Sequence, residues 1–236
     1  MRLFSPLATG LLVMLWTAIL VGCSSTGTDS GRPQRTMAEV LARYGPAAEA
    51  RLASYFRGAG VDYPPARLAL LGFKAERRLE LWADDGRGFR EITRYRVQGM
   101  SGGPGPKLRE GDRQVPEGIY RIIFMNPNSC CHLSMQLDYP NAFDLYHAAR
   151  EGRDNPGGEI FIHGGRGSSG CLAVGDPAVE ELFMLVARTG MENVEVIVAP
   201  HDFRTAPALI PANAPAWTPH LYRQVHTALA RFPSRR

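Results

Sequence analysis

Cysteine is scarce in this chain, with four in 236 residues, and none of the four falls in a CxxC pair. Structural zinc wants four ligands, so a metal centre is disfavoured and no metal or cofactor is expected. Charge of one sign is also missing. Lys and Arg number 27 against 23 Asp and Glu, a net +4, and the arginines are scattered. Nucleic acid is therefore a poor partner, although a mild positive balance suits work near an anionic wall or membrane. There is no internal repeat. The stretch GMSGGPGPK ends on Lys107 followed by Leu108, without the Ser or Thr that a phosphate-binding loop needs, so nucleotide binding is rejected.

One long apolar run exists, and it opens the chain. Residues 1–22 carry Arg2 as their one charge and lead into LVGC, ending at Cys23, then SSTGTDSG. This is the lipobox pattern of bacterial lipoproteins, in which the cysteine is lipidated and becomes amino-terminal after cleavage. Ser24 and Ser25, with no Asp behind the cysteine, resemble the outer-membrane type. An uncleaved membrane anchor is the other reading of the same run. Either way the expected location is the periplasm, an oxidising compartment. With Cys23 taken by lipid, three cysteines remain. We expect Cys171 to be a free thiol, and Cys130 and Cys131 to be reduced and partly buried, because a bond between neighbours is strained.

The chemistry concentrates in residues 160–176, IFIHGGRGSSGCLAVGD. His163 closes a strand-like apolar run and Cys171 ends a loop rich in Gly and Ser. A thiol of ordinary pKa is mostly protonated at neutral pH, so a nucleophilic cysteine needs a base within reach, and His163 could supply it. Glycines such as Gly164 let the loop fold back. Ser169 and Gly170 put small residues and backbone N–H groups beside the sulfur, where an oxyanion could be bound. Against this stands the bland reading of a buried apolar cysteine. The residues alone leave the two about even.

The HG, short loop, S-x-G-C pattern resembles the active-site signature of murein L,D-transpeptidases with the YkuD-type catalytic domain. Two further blocks, residues 101–120 (SGGPGPKLREGDRQVPEGIY) and 126–144 (NPNSCCHLSMQLDYPNAFD), are similar in the same order to the YafK-like subgroup. The resemblance covers roughly residues 68–198. Many members carry a second His or a Lys two positions before the cysteine, where this chain has Ser169, which leaves the base role with His163. The resemblance implies a peptidoglycan L,D-transpeptidase acting on stem peptides through a Cys171 thioester. It equally implies an alternative, an amidase of the same fold that releases a lipoprotein from the wall. A wall-binding module without catalysis is the non-enzyme reading. Lys107 or Arg109 would face a stem-peptide carboxylate, or else sit in a solvated turn. His132 reads first as a structural histidine, with a cleft position implied by its block, and Arg166 could hold a carboxylate or be solvated.

The rest of the chain reads as an α+β domain that is mainly β. Residues 1–22 are the signal, 23–65 a polar tether followed by one or two short helices over 37–56, 66–200 the catalytic domain, and 201–236 a tail with a helix over 218–232. Pro64 and Pro65 mark the start of the domain. Strands are expected at 68–73, 79–82, 91–98, 118–124, 132–138, 159–163 and 194–199, the first three as an antiparallel meander. Asp176 before Pro177 starts a helix whose apolar stripe Val179, Leu182, Phe183 and Val186 ends at Gly190 and braces the loop.

Overall fold

The computed structural model describes residues 33–233, so the expected signal and the lipidation site Cys23 lie outside the described residues. Eight strands form one mixed sheet in the order β3-β2-β1-β8-β4-β5-β6-β7. The expected meander is its first half: β1 (Arg67–Phe73), β2 (Arg78–Asp84) and β3 (Arg90–Arg96) pair antiparallel. The turn after β2 is written by Asp84, whose carboxylate accepts the N–H groups of Gly86 and Gly88 at 2.7 and 2.8 Å. The sheet continues with β4 (Gly118–Asn126), β5 (Ser134–Leu137), β6 (Phe161–His163), β7 (Leu172–Ala173) and β8 (Val194–Ala199). β8 lies parallel to β1 and antiparallel to β4.

The continuous apolar run of β1 follows from burial on both faces. Leu68 and Leu70 enter one core, whereas Ala69, Leu71 and Phe73 enter a second. Two helices cover the first core: α1 (Met37–Ala59) and α3 (Asp176–Thr189). α4 (Thr218–Leu229) covers the second with Leu221, Val225 and Leu229, so the tail docks as expected.

Two helices differ from expectation. The amino-terminal segment, expected as one or two short helices ending near 56, is a single helix of 23 residues with Pro46 inside it. An interior proline costs a hydrogen bond and normally breaks a helix. Here a Thr36–Glu39 capping box, a left-handed Gly60 at the end and the burial of Val40, Ala48, Leu52 and Phe56 outweigh that cost. α2 (Ala142–Arg150) was not anticipated. Asn141 caps the helix and Asp144 closes the box three positions later, a spacing that marks a helix start.

Residues 99–117 hold no strand or helix, yet they are pinned from below. Lys74 is 3% exposed, and its ammonium meets Glu117 at 2.9 Å and the carbonyls of Gly105 and Val115 at 3.2 and 3.0 Å. The other Glu117 oxygen accepts the Tyr222 hydroxyl of α4 at 2.7 Å. Burial pulls the Lys74 ammonium below its ordinary range, and the Glu117 carboxylate works against that. A buried ion pair adds little net stability, but removing one partner strands the other charge in a low dielectric. Glu117→Ala is accordingly expected to cost about 3–5 kcal/mol in urea unfolding. A loss below about 1 kcal/mol would mean that the network does not hold the loop.

Candidate active site

β6 and β7 pair in parallel through two rungs, Ile162 with Leu172 and His163 with Ala173. Side chains alternate along a strand, and Ile162 and Leu172 both enter the first core. His163 and Ala173 therefore face the opposite side, and Cys171 lies one residue ahead of β7. The loop between them returns in so few residues because glycine permits it. Gly165 and Gly170 hold φ of +67° and +98°. A Cβ at Gly164 would stand 2.6 Å from an Asp176 carboxylate oxygen and 2.7 Å from the Cys131 carbonyl.

Three hydroxyl or carboxylate groups fasten this loop. Asp176 accepts the Gly165 N–H at 2.7 Å, so the residue expected to start α3 also grips the loop, as the bracing role required. The Ser168 hydroxyl accepts the Cys171 N–H at 3.0 Å and donates to the Cys171 carbonyl at 2.6 Å. The Ser101 hydroxyl accepts the Gly170 N–H at 2.8 Å and donates to the Arg113 carbonyl at 2.7 Å.

Cys171 is a partly exposed thiol. Its sulfur accepts the Phe161 N–H at 3.4 Å and donates to the Glu159 carbonyl at 3.7 Å. Burial pushes the thiol up to about 11, with the Phe161 N–H and the charge of Lys107 pulling the other way. The His163 ring is 5% exposed, and its Nδ1 lies 2.6 Å from the Gly164 carbonyl. A carbonyl can only accept, so Nδ1 carries the proton and the lone pair is left on Nε2. Burial lowers the His163 pKa, against the Gly164 bond, which keeps the ring neutral at pH 7. Among the described residues no hydrogen bond joins the ring to the sulfur, which in this resting arrangement points to Glu159. Such contacts commonly tighten only when substrate binds.

The model of the YkuD family, the L,D-transpeptidase catalytic domain, matches residues 70–198. The chain belongs to this L,D-transpeptidase family. YafK of Escherichia coli strain K12 is 32% identical over 133 residues, which are 54% of this chain and 52% of that protein. The chain thus spans about half the length of the curated relatives it matches. Among solved structures, the helical cell shape determining protein Pgp2 from Campylobacter jejuni has a TM-score of 0.45 and 22% identity, covering 62% of this chain and 54% of that one. Bd1075 from Bdellovibrio bacteriovorus has a TM-score of 0.42 and 21% identity, covering 72% and 57%.

Within the L,D-transpeptidase domain the other expected site residues divide. The N–H groups of Gly170 and Cys171, expected to receive an oxyanion, are both occupied by serine hydroxyls. Lys107 does not face the cleft as a bare cation: it is 6% exposed, with its ammonium 2.6 Å from Asp112 and 3.0 Å from the Arg109 carbonyl. The proline-flanked lysine folds inward because Asp112 also gathers the N–H groups of Leu108, Arg109 and Gln114. Arg109, Arg166 and Ser169 are exposed. Arg166 borders a recess of about 620 Å³ at the start of α3. His132 is structural, its ring 2.9 Å from Glu180 and edge-on to Tyr44, at a φ of +76°.

Cys130 corrects the cysteine assignment, since it is disulfide-bonded rather than reduced. It is exposed on the surface and therefore open to oxidation. Cys131 is a half-buried thiol whose sulfur lies 3.6 Å from that of Cys130. Among the described residues no group of three or more His, Cys, Asp or Glu is placed to hold a metal ion. Ser101 and Ser168 were missed as functional residues, although both lie in the blocks that carried the resemblance. A hydroxyl's backbone partner is set by tertiary contact, which spacing does not reveal.

With a thiol at about 11, alkylation of Cys171 by iodoacetamide is expected to keep accelerating from pH 7 to pH 10. Peptide-resolved mass spectrometry reads the rate. A plateau reached below pH 8 would mean a preformed thiolate and contradict this electrostatic picture.

Proposed function

We propose that this protein is a cysteine-dependent peptidoglycan L,D-transpeptidase acting on stem peptides. The observation that carries the reading is a partly exposed Cys171 thiol, one residue ahead of the short strand that pairs with the strand of His163, whose neutral imidazole leaves Nε2 free. Family membership supports it. Because the thiol is protonated at neutral pH, the first step needs a base. His163 Nε2 takes the thiol proton as the sulfur attacks the carbonyl carbon that follows the L-centre of the diamino acid. The imidazolium then returns the proton to the departing amine, leaving a thioester on Cys171. An amine from a second stem peptide attacks the thioester, the same imidazole carries its proton, and the thiol is regenerated. The burial that depresses the His163 pKa suits this exchange, since the ring must be unprotonated before each attack.

The same reading places the enzyme in the periplasm, tethered through lipid on Cys23, with peptidoglycan as its partner. The support is the opening apolar run and LVGC in the sequence. Purified disaccharide tetrapeptide, incubated with the protein alongside lipoprotein-linked muropeptides, is expected to give crosslinked dimers by mass spectrometry. Cys171→Ala should abolish them, and His163→Ala should slow them by at least about 10²-fold. Dimers formed equally well by Cys171→Ala would sink the reading, and released lipoprotein or cleaved monomers without dimers would replace transfer by hydrolysis. Labelled palmitate should enter the wild type and not Cys23→Ser.

A further inference from the structure

We propose that Ser101 is a positioning residue for the nucleophile, holding Cys171 in line through the Gly170 amide. This rests on the reading of Cys171 as nucleophile. Gly170 is buried and sits at a φ of +98° immediately before Cys171, so a shift of its amide is passed to the residue that carries the sulfur. Among the described residues, Ser101 Oγ makes the one hydrogen bond that reaches residues 166–170 from outside the loop. The other tether near the sulfur, Ser168, lies within the loop and moves with it.

Ser101 is itself held. Its hydroxyl hydrogen goes to the Arg113 carbonyl, and the neighbouring Gln114 amide nitrogen donates to the carbonyls of Gly103 and Gly105 at 2.7 and 2.6 Å. Gly105 in turn meets the buried Lys74 and Glu117. A chain of fixed contacts thus runs from the core through Ser101 to the residue before the nucleophile. Two residues upstream, Gly99 and Ala173 exchange backbone hydrogen bonds at 2.9 and 3.2 Å, which brings Ser101 to the loop from the far side of β7. Removing the hydroxyl leaves a buried N–H without its acceptor and frees the loop to shift. A displacement near 1 Å at a reacting atom can cost about 10²-fold in rate.

The test compares wild type, Ser101→Ala and Ser101→Thr in turnover of disaccharide tetrapeptide. Reactive sites are counted by iodoacetamide labelling of Cys171, and folding is checked by thermal melting. For Ser101→Ala the kcat per labelled site should fall at least tenfold with KM within about twofold, and Ser101→Thr, which keeps the hydroxyl, should recover most of the loss. A kcat per labelled site equal to wild type, with the loss confined to the labelled fraction or the melting temperature, makes Ser101 merely structural and overturns the proposal. So does a Ser101→Thr variant no better than Ser101→Ala. A wild type without any turnover overturns instead the reading of Cys171, and the proposal falls with it.

Discussion

Two rungs of parallel ladder between β6 and β7 decide where the imidazole and the thiol stand. β7 is only two residues long and could not hold a register by itself. It is gripped from both sides, by β6 on one and by the Gly99–Ala173 bridge on the other. A Cβ at Gly99 would meet the Arg166 carbonyl at 1.9 Å, so the grip requires glycine there. The period of two then places Ile162 and Leu172 in the core and turns His163 and Ala173 to the other face, with Cys171 at the entry to β7. A slip of one residue would turn Leu172 out of the core, and the apolar packing forbids it.

The electrostatics of the site follow from the same packing. Burial raises the thiol and lowers the imidazole, so both are neutral at pH 7. A preformed ion pair is thereby disfavoured and the proton must move during the reaction, which makes the orientation of the ring decisive. The Gly164 carbonyl supplies that orientation at 2.6 Å, and the lack of a Cβ at Gly164 lets Asp176 and the Cys131 carbonyl close around it. Residues 99–117 complete the arrangement. They form an irregular loop, and the Lys74, Glu117 and Tyr222 contacts tie it to the core.

Much of this was legible in the residues. Short strand-like runs, some apolar throughout and some alternating, named seven of the eight strands, and the Asp-Pro start and Gly190 bounded α3. The His163 and Cys171 pair stood out because a base and a thiol flanked a glycine-rich loop. What was hidden shares one cause, since it depends on partners distant in sequence. β7 is too short to carry a period, Lys107 turned inward because Asp112 waited for it, and the amides of Gly170 and Cys171 were claimed by hydroxyls. The full length of α1 was hidden too, because Pro46 sits inside a helix that tertiary burial enforces against local propensity.

The most direct test is to map where an acylating carbapenem attaches at pH 7, using peptide-resolved mass spectrometry on the wild type and on His163→Ala. The account predicts a single adduct on the peptide bearing Cys171, formed at least about 10²-fold more slowly without the imidazole. An adduct on Cys131 instead, or an undiminished rate in His163→Ala, would contradict it.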